Sequence, residues 1–65
     1  MEQLEYAVQH RKRVALTRRG NEFVVIAAAV RQSGGREALA GYLPMTGEEM
    51  LFVLNELDHF QVLDS

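Results

Sequence analysis

The spacing of apolar residues changes along the chain, and each change marks an element. Leu4, Tyr6, Ala7 and Val8 include the i, i+3, i+4 spacing of one helical face, which predicts a short helix over residues 2–10. Glu2 and Glu5 sit in its first turn and a basic run follows its end, which suits the helix dipole. A helix this short is unstable alone and must dock on something. From Arg13 the period drops to two. Val14 and Leu16 alternate with Ala15 and Thr17, as in a half-buried strand. Arg19, Gly20 and Asn21 then give a turn. In the run from Glu22 to Val30, the aromatic and β-branched front favours strand and the three alanines favour helix. Two flanking turn signals and its shortness decide for strand. Gln32-Ser33-Gly34-Gly35 fits a hairpin loop. The next run, Arg36 to Leu43, predicts a strand with Ala38, Ala40 and Tyr42 on one side and Glu37, Leu39, Gly41 and Leu43 on the other. Gly41 inside it marks a bulge or a close backbone approach, and Pro44 ends it.

The last third supports two readings. Thr46 with Glu49 forms a capping box, and Met50, Val53, Leu54, Leu57 and Phe60 share one face of a helix over residues 47–60. The same residues also allow a strand from Glu49 to Leu54, a tight turn over Asn55 to Asp58, and a short strand from Phe60 to Leu63. Periodicity alone does not separate the two.

Composition narrows the class. Sixty-five residues, nearly half of them apolar, make one globular domain over residues 1–65, burying only about 60% of its unfolded surface. Without cysteine it has neither a disulfide nor a Cys-based zinc site as a staple. The longest apolar run, Phe23 to Val30, has eight residues against the ~20 a membrane helix needs. No signal-peptide pattern is visible, so a cytoplasmic protein without a membrane partner is expected.

Charge changes the picture more. All seven bases lie within the first 36 residues against three acids, and residues 37–65 carry six acids and no base. The halves are therefore +4 and −6 beneath an overall −2. Such polarity suits an anion-binding face, head-to-tail contact between copies, or ordinary surface pairing.

The pattern resembles the WYL domain family, Sm-like or SH3-like small β-barrels of bacterial regulators. The likeness runs from about Leu4 to Asp64. It is carried by Leu4, Ala7 and Val8 with the run from His10 to Thr17; by Gly34-Gly35-Arg36 leading to Leu39-Ala40-Gly41-Tyr42; and by Phe52 to Leu57 followed by Phe60 to Asp64. Of the Trp-Tyr-Leu triplet that names the family only Leu39 remains, with Glu37 and Ala38 in the other places. Glu56 replaces an arginine, Arg18 a tyrosine and Ala27 a proline. The resemblance implies a mainly β fold: a small Sm/SH3-like barrel of about five strands with a short N-terminal helix. It tips the last third toward strand, turn, strand, and a closed barrel would pair the apolar edges of the sheet. The alternative is α+β, a three-stranded meander plus the helix over 47–60.

Candidate chemistry is sparse. His10 and His59 are far apart and each sits among charged residues, as surface histidines do. Glu56 and His59 would make at most two metal ligands. Ser33 and Thr46 have no adjacent base, and no Gly-Lys-Ser/Thr follows Gly34-Gly35. A non-enzymatic protein without cofactor or metal is expected. The basic residues are the binding candidates: Arg11, Lys12, Arg13, Arg18, Arg31 and Arg36, with Tyr42. A meander puts Arg11 to Arg13 and Arg31 to Arg36 near one end and Arg18 and Arg19 at the other, which divides the patch. The sequence thus points to an interaction module in bacterial regulation. A protein partner or self-association comes first, and nucleic acid or a nucleotide second. The alternative is a small protein-binding adaptor or accessory protein acting through self-association.

Overall fold

The computed structural model describes residues 2–63. The chain runs α1 (Glu2–Gln9), β1 (Arg13–Arg18), β2 (Asn21–Ser33), β3 (Arg36–Tyr42), β4 (Glu49–Val53), one 3-10 turn (Leu54–Glu56) and β5 (His59–Leu63). Five antiparallel strands form one sheet in the order β4-β3-β2-β1-β5. The architecture is mainly β with one short N-terminal helix, and the strand, turn, strand reading of the last third holds. Asp64, the end of the family-like stretch, lies outside the described residues.

Local chemistry explains why residues 47–60 form no long helix. The Thr46 hydroxyl accepts from the Glu48 N–H at 3.2 Å, inside a turn closed by Leu43 N–H to Glu48 O at 2.9 Å. The chain leaves that turn extended. Phe52 is fully buried and Met50 packs on the core, while Leu51 between them is 46% exposed. That alternation is a strand's.

The helix ends in a Schellman motif. Lys12 N–H reaches Ala7 O at 2.8 Å and Arg11 N–H reaches Val8 O at 3.3 Å, with Arg11 left-handed at φ 53°. The Lys12 carbonyl then accepts from Ala27 N–H at 3.0 Å, which ties the helix end to β2. Leu4 and Ala7 enter a core completed by Val14, Leu16, Val25, Ala27, Leu39 and Phe52.

Strand β2 spans 13 residues, beyond the expected Glu22 to Val30, because the loop after it needs only Gly34 and Gly35. Its first half pairs with β1 and its second half with β3. Between them the register slips, Ala27 facing Gly41 and Ala29 facing Ala40, so Ala28 is the extra residue of a bulge. The slip lets Val25, Ala27 and Val30 all contribute to the core, although a regular strand would turn Val30 outward. Gly41 stands opposite the slip. A Cβ there would lie 2.8 Å from Val25 Cγ2 and 3.1 Å from the Ile26 carbonyl oxygen, so the close approach expected at this glycine is present.

The sheet curls on itself. Phe23 lies on the part of β2 that pairs with β1, and Phe52 lies on β4 two strands away, yet their ring centroids are 5.4 Å apart. The barrel-like curl is not closed by a ladder: among the described residues β4 and β5 each have one unpaired edge. The edge pairing expected of a closed barrel is therefore not made, and α1, packed against β2 and β5, supplies Leu4 and Ala7 to the core. No helix among the described residues is long and apolar enough to cross a membrane.

Candidate anion-binding groove

The curl decides which arginines meet. The β1–β2 connection is a two-residue hairpin turn, with Arg18 paired to Asn21. Its central residues, Arg19 and Gly20, have φ of 53° and 79°, as a type I′ turn requires. That geometry matches the twist of the flanking strands, but at its first position Asn is far easier to accommodate than Arg. The turn is fastened from the other end of the chain. Asp58 N–H donates to Thr17 O at 2.8 Å, and Gly20 N–H donates to Asp58 Oδ2 at 3.4 Å. The 3-10 turn that precedes Asp58 is thereby held beside the hairpin.

Between them lies an open groove of about 300 Å³ lined by Arg18, Arg19, Asn21 and Glu56. The Arg18 guanidinium is positioned by two aromatic rings, its Cζ 5.4 Å from the Phe23 centroid and 5.2 Å from that of Phe52. Cation–π contact of this kind fixes a planar fork of N–H donors. Arg36, at the start of β3, reaches the groove through Glu56, with its Nη1 3.8 Å from Glu56 Oε2. Both side chains of this pair are half exposed, so the contact adds little stability. Arg18 and Arg19 thus line the groove with one carboxylate, Glu56, while Arg36 and the Asp58 carboxylate border it, so three bases face two acids. Such a site suits an oxyanion, which the planar guanidinium can take in bidentate fashion.

This grouping corrects the division expected of a simple meander. Arg36 does not join Arg11 to Arg13; it meets Glu56, across from Arg18 and Arg19. The remaining candidates lie elsewhere. Arg13 is at the far end of β1 from Arg18, five steps and about 17 Å along the strand. Arg11 and Lys12 belong to the turn that ends α1, where their backbones make the hydrogen bonds described above. Arg31 is exposed on β2 opposite Ala38. Tyr42 is half-buried at the end of β3, paired with Ile26 and Glu49 and about 20 Å along the strand from Arg36. None of these five lines the groove.

The sequence counts Arg19 among the bases and Asn21 in the turn without placing either in the site, and it offers Glu56 only as a weak metal ligand beside His59. The type I′ signal in Arg19-Gly20 was the one legible clue. Of the histidines, His59 Nε2 is 3.3 Å from Thr17 Oγ1, and the His10 ring lies 4.5 Å from that of Tyr6. Among the described residues no group of three or more His, Asp or Glu is placed to hold a metal ion.

A second groove, also about 300 Å³, runs between α1 and the free edge of β5. Gln3, Tyr6, Phe60, Gln61 and Val62 line it, and none of these carries a formal charge at neutral pH. No family model, curated protein or solved structure matches the chain.

Proposed function

We propose that this chain is a non-enzymatic, WYL-like binding module of bacterial regulation that takes an anionic group in the groove between the β1–β2 turn and the 3-10 turn. One observation carries the reading: arginines from two segments line or border a single open groove around Glu56. The strained backbone at Arg19 supports it. A left-handed arginine where asparagine fits better is a local cost retained beside the groove its side chain lines. The resemblance in sequence supports the regulatory setting.

The test is an NMR titration of the labelled chain with pyrophosphate at constant ionic strength. Shifts confined to Arg18 through Asn21 and Glu56 are expected. Changing Arg18 and Arg19 together to Gln should abolish them, and changing Arg11 and Arg13 together to Gln should leave them intact. Shifts that centre on Arg11 to Arg13, or no shifts at all, would refute this site.

The unpaired edges of β4 and β5 favour a second reading, self-association by strand pairing between copies. Sedimentation equilibrium at high micromolar concentration should then show assemblies that dissociate when exposed Leu51, on the β4 edge strand, is changed to Lys. A monomer in both low and high salt removes this reading and leaves the groove untouched.

A further inference from the structure

Resting on the reading that the groove binds an anion, we propose that its ligand is a small phosphate monoester and that Glu56 is the resident competitor this ligand displaces. The size and isolation of the site exclude a strand-like polyanion as the natural fit. The groove is a pocket of about 300 Å³; Arg11 to Arg13 lie beyond the length of β1, and Arg31, exposed on β2 opposite Ala38, does not line it. A nucleic-acid path needs consecutive phosphate contacts and aromatic platforms. The two rings nearest the groove, Phe23 and Phe52, are already covered by Arg18.

The charge of the ligand follows from the carboxylate in place. Glu56 lines the groove and holds Arg36 at 3.8 Å through a half-exposed contact, so it can leave at small cost. A ligand carboxylate would exchange one carboxylate for another and gain little. A phosphate monoester carries about −1.5 to −2 charges and three acceptor oxygens, enough to engage Arg18 and Arg19 together and to draw Arg36 away from Glu56. Asn21 offers its side-chain amide as a neutral donor. The aromatic support under Arg18 keeps its donors in place while Glu56 and Arg36 rearrange.

Phenyl phosphate, benzoate and an unphosphorylated oligothymidine are the probes, titrated into the chain and into its Glu56→Gln variant, with spectra confirming that the variant is folded. Phenyl phosphate should bind the natural chain, and the variant should bind it roughly three- to fivefold more tightly, the scale of one exposed ion pair. Benzoate should bind detectably only to the variant. Phenyl phosphate affinity unchanged or weakened in Glu56→Gln overturns the competitor role; the groove reading still stands if pyrophosphate shifts remain at Arg18 through Asn21. Tighter binding of the oligothymidine than of phenyl phosphate overturns the choice of a small ligand. No binding of any probe or of pyrophosphate overturns both this inference and the reading beneath it.

Discussion

Arg11 and Arg19 share a φ of 53°, and they are the described non-glycine residues with left-handed backbone. Their settings differ in what compensates the strain. At Arg11 the backbone itself is the reason: the left-handed residue lets two N–H groups reach helix carbonyls and turns the chain toward β1. Its side chain is exposed and lines neither groove. At Arg19 the turn would form better with asparagine, and the arginine side chain lines the groove. Two arginines with one backbone geometry thus divide into one whose backbone closes a helix and one whose side chain lines a groove.

Substitutions can break that division, and the largest expected effect is at the helix. Leu4→Ala removes a buried side chain from the helix that Arg11 terminates and should destabilise by about 2–5 kcal/mol. In so small a domain that approaches the whole stability, and urea denaturation will show it. Next comes Arg19→Asn, which should raise stability by about 0.5–1 kcal/mol while weakening pyrophosphate binding several-fold. If it left binding intact, Arg19 would be as structural as Arg11. Arg11→Gly should raise stability by up to ~1 kcal/mol, because glycine accepts the left-handed backbone without strain, and binding should not change. A drop in binding would move the site toward the basic run. Smallest is Asp58→Ala, which loses one exposed 3.4 Å bond to Gly20 and should cost about 0.5 kcal/mol in thermal unfolding.

The sequence made local structure legible because local structure is set by neighbours. Val14 and Leu16 alternate, Gly34-Gly35 turns, and Gly41 signals crowding, all within a few residues. The two-residue length of the second hairpin turn was less visible, since Gln32 and Ser33 read as loop on composition yet extend β2. The bulge at Ala28 could not be read, because three consecutive alanines carry no inward or outward mark. The groove was hidden for a different reason. The Arg36–Glu56 contact follows from the β3–β4 register, Ala38 facing Val53, but only the curl that presses Phe23 on Phe52 brings that pair across from Arg18 and Arg19. A flat meander, the simplest picture a strand list allows, sends Arg36 to the wrong end. Tyr42 lies away from the groove through the strand's length: it shares β3 with Arg36 but sits at its opposite end.

The pairing of β5 with β1 joins residues 42 positions apart, Thr17 with His59, whereas the β1–β2 and β2–β3 hairpins close locally. Loop-closure entropy makes such a distant pairing slow to form. The two hairpins close within neighbouring residues, but Asp58 fastens the β1–β2 turn only when the chain brings it back beside Thr17 and Gly20. The arginine-lined groove therefore rests on contacts between segments far apart in sequence, and a variant unable to pair β5 with β1 would carry every arginine without that groove's second wall.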